Sequence, residues 1–295
     1  MNRIDQVATQ NLQDCWSILY KNLAKSVLQV RGKDGEVVIR RANHLCGERM
    51  GALELKNHRE AGKLTNLQTY FTTPVSRCID PRFRFQWQLF NEQEAVFDVI
   101  TCPIYDYLLK TGAKDLMISF CEEYHHGCIM AYTGKAGQCT FSENFVYMGE
   151  NSCRFGCYYR PANIPAAERP ASFSADRAEE AQRPDPYIPC PDPKGAFALW
   201  GELLLTCYME EMTARYGEGS VCALSEGLKA AAHETIPYLK QRSISLRKPL
   251  DEAFLAEHTF WGTRYENRFA LAEGAAKMVE INYCRTLKAD LASCQ

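Results

Sequence analysis

Apolar residues recur at helical spacing near the start of the chain. Leu12, Trp16, Leu19, Leu23, Val27 and Val30 fall on one stripe, which predicts an amphipathic helix. The stretch "RGKDG" at 31–35 breaks that pattern, and Gly32 or Gly35 can supply the left-handed residue that ends a helix. A second helix is expected from about 36 to 50. The period then shortens to two: Phe83, Phe85, Trp87 and Leu89 alternate with Arg82, Arg84, Gln86 and Gln88, the signature of a half-buried strand. "NEQE" turns the chain and "AVFDVITC" returns as its hairpin partner. Residues 104–111 and 114–133 read as helices, and "TFSENFVYM" and "CRFGCYYR" as two further strands around a "GEN" turn. Helices grouped apart from strands predict an α+β fold, a helical layer packed on an antiparallel meander sheet.

Periodicity stops at 161–193, which hold eight of the thirteen prolines. Proline removes backbone donors and favours extended chain, so this stretch reads as a linker between 1–160 and 194–295. The two flanks look related. With Trp16 set on Trp200, an offset of 184, Leu19 meets Leu203, Arg31 meets Arg215 and Gly35 meets Gly219. At an offset of 182, Arg82 meets Arg264, Leu89 meets Leu271 and Cys102 meets Cys284. The expectation is a complete α+β domain at 1–160 and a partial second copy at 194–295, mainly helical with one hairpin.

Composition narrows the function. A formal net charge of −2 without a basic stripe argues against a nucleic-acid partner. No apolar run approaches the length of a membrane span, and "MNRIDQVATQ" is too polar for a signal peptide. Fourteen cysteines in a long chain of this kind read as buried thiols in a reducing cytoplasm rather than as a disulfide framework. A sheet edge left open by the shortened second copy makes a homodimer an expectation as well.

Chemistry concentrates in "SFCEEYHHGC", residues 119–128. On a helix Cys121, His125 and Cys128 share one face, and the neighbouring Leu116, Met117, Phe120 and Tyr124 turn that face inward. A thiol beside an imidazole is a nucleophile–base pair, because imidazolium stabilises thiolate and imidazole accepts its proton. The plain alternative is a packed thiol and a rim histidine, with Glu122, Glu123 and His126 solvated. A zinc site would need Cys121, His125, Cys153 and Cys157 together, without any C-x-x-C to support it. Dinucleotide, phosphate-loop, zinc-protease and serine-hydrolase motifs are absent, so no cofactor is expected.

The order of "W…G…G", a hairpin ending "FDVITCP", then "SFCEEY", then "NFVYMGENSCRFGCYYR" resembles the L-2-amino-thiazoline-4-carboxylic acid hydrolase family over about 12–160. The resemblance singles out Cys102, Cys121 and Cys153. It implies hydrolysis of a small cyclic amidine-like substrate, with Cys121 as nucleophile, His125 as base, and Glu122 or Glu123 as a weaker base. Cys102 and Cys153 would line the pocket. Two positions depart from the family pattern: Tyr124 and Arg154 stand where acidic residues are favoured. Arg154 offers a guanidinium that matches a substrate carboxylate. A distant similarity to four-vinyl-reductase-type domains keeps a non-catalytic small-molecule-binding protein, or a zinc-binding regulator, as the alternative.

Overall fold

A computed structural model describes residues 3–141, 152–174, 181, 183 and 190–259. The chain forms two compact units, Met1–Ala42 with Asp192–Gln295, and Asn43–Pro191. The described residues make an α+β protein with one four-stranded antiparallel sheet.

The described part of the first unit is helical. Helix α1 (Arg3–Arg31) ends at Gly32, whose φ of 56° is the left-handed conformation expected there. Helix α2 (Asp34–Glu60) starts in this unit. Three later helices lie in it too: α6 (Pro193–Tyr216), α7 (Cys222–Leu246) and α8 (Glu252–His258). α7 crosses α1 closely because Gly227 carries no side chain: a Cβ there would stand 2.6 Å from Ser26 Oγ. Lys21 Nζ donates to Glu234 at 2.6 Å across the same crossing. Trp16 stacks on Trp200, ring centroids 3.8 Å apart and planes 17° from parallel. These are the two residues that set the 184-residue offset, and each flank runs as helix, break, helix. The expected second hairpin at 264–284 lies outside the described residues, so the duplication stays a proposal resting on the sequence offset.

The second unit holds the sheet. Helix α3 (Leu67–Thr72) precedes the hairpin β1 (Arg84–Phe90) and β2 (Glu94–Thr101). Helices α4 (Pro103–Lys110) and α5 (Leu116–Tyr132) follow, then β3 (Gly137–Phe141) and β4 (Cys153–Tyr159). The strand order is β1-β2-β4-β3. Two hairpins therefore join through β2 and β4, and β3 takes the edge that a simple meander would give to the last strand. The third strand also starts earlier than its apolar pattern suggests, at Gly137; residues 142–148 of that expected strand lie outside the described residues.

The inner face of the sheet is aromatic. Phe97 stacks on Phe155 at 5.3 Å, directly opposite it in the β2–β4 register, and Phe71 of α3 meets Trp87 and Phe97 edge-on. α2 continues to Glu60, ten residues past the expected end. "GALELKNHRE" contains no breaker, and Gly51 serves packing instead: a Cβ there would lie 2.1 Å from the Cys128 carbonyl oxygen. Gly47 and Gly127 allow the same close approach of α2 to α5.

The stretch 161–174 holds two 3-10 turns, Pro161–Asn163 and Ala166–Ala171. Its end is tied into the second unit, where the Asn66 side-chain amide donates to the Ser172 carbonyl and Phe173 packs on Tyr159.

Candidate active site

Three elements bring cysteines to one end of the β2–β4 pair. β2 ends at Thr101, and Pro103 at the first position of α4 makes Cys102 its N-cap. There the backbone is extended and the Tyr105 N–H donates to Cys102 Sγ at 3.4 Å. β4 begins at Cys153, paired with Val99 two residues before the end of β2. Cys121 comes from the first half of α5. Burial pushes the Cys121 thiol far above its usual range, and Cys102 and Cys153 add to that, which places the three sulfurs within each other's field. Cys102 is pushed up to about 12 by burial, while the Tyr105 and Ile104 N–H groups pull it back and Cys153 raises it. Of these three, Cys102 alone is half-buried; the others are buried.

His125 shares the inward face of α5 with Cys121, as the spacing predicts, but its company is aromatic. Phe155 meets it edge-on at 5.0 Å, and Phe120, Tyr124 and Phe141 complete the surround. Burial, with the Arg77 charge behind it, pushes the imidazole down to about 4. At neutral pH the ring is therefore uncharged and can accept a proton, but it is not the imidazolium that would hold a thiolate.

The remaining expected residues separate. Glu123 reaches His44 on α2, 3.3 Å from its Nδ1, and Glu122 is half-buried. Tyr124 stacks on Phe120, and with Tyr70 it stands close enough to Cys128 to lower that thiol's pKa against burial, away from the three-thiol cluster. Arg154 follows Cys153 on the strand and so points to the opposite sheet face. Its Nε and Nη2 both bind the Asp98 carboxylate, each at 2.8 Å, so its fork already holds a carboxylate of the protein. The zinc set is not assembled: among the described residues no three histidine, cysteine or acidic side chains converge on a metal position. Cys153 and Cys157, four residues apart on one strand, sit about 13 Å from each other, too far to share an ion. Cys157 instead donates to Cys139 on β3, sulfur to sulfur at 3.5 Å.

A second cluster went unread in the sequence because α2 outruns its expected end. Glu54 and His58, one turn apart on that helix, are fully buried. The Glu54 carboxylate accepts the N–H groups of Val75 and Ser76 at 3.1 and 2.8 Å and pairs with Arg77. His58 Nε2 donates to the Thr73 carbonyl at 2.7 Å, and its Nδ1 lies 2.8 Å from the Tyr132 hydroxyl. The Arg77 guanidinium lies over the Tyr70 ring at 3.8 Å. Burial works against its charge, but Tyr70 and Glu54 outweigh that and hold it protonated more firmly than usual. The i, i+4 pair in "ELKNH" was the available signal; Arg77 had none.

A separate cleft of about 930 Å³ opens beside the edge strand, lined by His126, Lys135, Gln138, Tyr158, Arg160 and Asn163 among others.

Residues 10–156 match the family model described as L-2-amino-thiazoline-4-carboxylic acid hydrolase. No curated protein and no solved structure matches the chain.

Proposed function

The chain belongs to the L-2-amino-thiazoline-4-carboxylic acid hydrolase family, and from that premise we propose that it opens a small cyclic amidine of the thiazoline-carboxylate type by thiol attack. The observation that carries this reading is that Cys102, Cys121 and Cys153, from a helix cap, a helix and a strand, come close enough to bear on one another's titration. Cys121 is the nucleophile the helix motif suggests. Cys102 has the better setting for that role, since helix N–H groups face its sulfur and it keeps contact with solvent. Its thiolate would add to the electron-poor carbon between the ring nitrogen and sulfur. The pair of electrons returning from that adduct expels the ring sulfur, which takes a proton and leaves as a free thiol, and water then releases the product from the enzyme sulfur. Neutral His125 is the nearby proton acceptor, weak at neutral pH because of its low pKa. Burial, helped by the Arg77 charge, keeps this imidazole neutral and so open to a proton.

Incubation with 2-amino-thiazoline-4-carboxylate tests the reading. Breaking the ring carbon–sulfur bond frees a thiol, whereas loss of the amino group frees ammonia, and each is assayed directly. Cys102→Ser is expected to abolish turnover and Cys121→Ser to lower it; the reverse order returns the nucleophile to Cys121. Neither product at any protein concentration defeats the hydrolase reading. A second reading, a binding protein without catalysis, draws on the polar cleft at Lys135 and Arg160. Under it, equilibrium dialysis detects bound thiazoline carboxylate that is recovered unchanged.

A further inference from the structure

We propose that Cys139 and Cys157 are an oxidisable pair that closes to a reversible disulfide, a modification site apart from the thiols assigned to hydrolysis. The two residues are direct partners in the antiparallel β3–β4 ladder. Their sulfurs are already 3.5 Å apart. The ladder also has the register this needs. The Gly137 N–H goes to Thr133 Oγ1 and the Tyr159 N–H to the Gln93 carbonyl, so the Gly137–Tyr159 pair does not exchange bonds with itself. Antiparallel pairs alternate, so Cys139–Cys157, two residues along, is also a non-hydrogen-bonded pair. In such pairs the Cα atoms stand about 4.5 Å apart, inside the disulfide range of roughly 4.4–6.8 Å. Small side-chain rotations bring the sulfurs to about 2.05 Å without moving either strand out of register.

Both thiols are buried, which keeps them inert in the resting protein. Access comes through the edge: β3 is a five-residue strand at the end of the sheet, and Gln138 and Thr140 on either side of Cys139 are exposed. Short edge strands open locally at lower cost than the body of a sheet. The oxidant is a hydroperoxide. One thiolate attacks the peroxide oxygen and becomes a sulfenic acid as hydroxide leaves; the second thiol displaces water from it. For hydrogen peroxide the balance is two thiols and one peroxide giving one disulfide and two waters.

The test uses the full chain, reduced, desalted and exposed to hydrogen peroxide, then alkylated and digested without reductant. The expected product is a cross-linked peptide joining Cys139 to Cys157, about 2 Da lighter than the sum of its reduced parts and split again by dithiothreitol. Closing this loop should raise the thermal midpoint by roughly 5 °C. Cys139→Ala and Cys157→Ala should each lose both effects, while Cys102→Ser keeps them, so the outcome is independent of whether the hydrolase assignment holds. The proposal is overturned if both thiols stay alkylatable after other cysteines have oxidised, or if either is found linked elsewhere. The wild-type peptide map decides this even where a variant fails to fold.

Discussion

The two ends of helix α5 are buried against opposite kinds of chemistry. Near its C-terminal end Tyr132 joins a hard, ionic network: Glu54 pairs with both His58 and Arg77, and the three bind four backbone groups and a tyrosine ring. Near its N-terminal end Cys121 faces Cys102 and Cys153, soft groups held by burial and packing. A saturated network is expensive to disturb and fixes the geometry of what surrounds it. A layer of neutral thiols is free to change bonding partners. On the proposed hydrolysis, positioning falls to one end and reaction to the other, and Cys128 lies on the ionic side, near Tyr70, Tyr124 and Arg77.

The ionic end should break hardest. Glu54→Gln or Arg77→Met leaves a buried charge without its partner, and each should cost about 3–5 kcal/mol in denaturant unfolding. The double variant should recover part of that loss, because the orphaned charge is gone. Cys121→Ser in the same assay should cost clearly less. Equal losses at the two ends would erase the distinction.

The histidine between the aromatic rings gives a pH-dependent contrast. Folding lowers the His125 pKa from 6.5 to about 4, so the unfolded chain binds the proton more readily than the folded one. Stability from this residue is therefore complete above pH 6.5 and is lost as pH falls from 6.5 toward about 4. His125→Phe keeps an aromatic ring in the site and should flatten that part of the profile in a thermal-midpoint series. An unchanged slope would mean that His125 takes up its proton in the folded state as easily as in the unfolded one.

What the sequence disclosed follows from how local each signal is. The helix break at Gly32, the alternation in β1 and the inward face of α5 depend on neighbours within a turn or a pleat, and all were readable. The strand order β1-β2-β4-β3 depends on contacts between distant segments and left no local mark. The same division runs through the site. Cys102, Cys121 and Cys153 were singled out by a family resemblance, and Cys121 with His125 by helical spacing. Spacing predicts that two side chains share a face, not what fills the space between them; here aromatic rings from three segments surround the imidazole. Glu54 and His58 were missed because the second helix was expected to end near 50, and the packing role of Gly51 shows only when α5 is seen pressed against it. Arg154 was misdirected by its neighbour: adjacent residues on a strand face opposite ways, so being next to Cys153 puts Arg154 on the other side.

That opposite face supplies the smallest effect and the sharpest separation of roles. Arg154 holds Asp98 in a two-point clamp, and Gln88 donates to the same carboxylate at 3.0 Å. The Arg154 hydrogen bond, against some burial, lowers the Asp98 pKa below 3.8. A carboxyl depressed on folding stabilises above its unfolded pKa and stops doing so as pH falls below it, so this contribution is full at neutral pH and fades under acid. The Arg154 side chain is 43% exposed, so water and salt screen the pair. Arg154→Gln should therefore lower the thermal midpoint by about 2 °C or less at neutral pH, and by less still at high salt or at pH 3. Its turnover of 2-amino-thiazoline-4-carboxylate should match the wild type in both kcat and KM, because the guanidinium lies across the sheet from the thiols. A raised KM with an unchanged midpoint would reverse the assignment: Arg154 would then be holding the substrate carboxylate, and Asp98 would be its resting partner in the empty site.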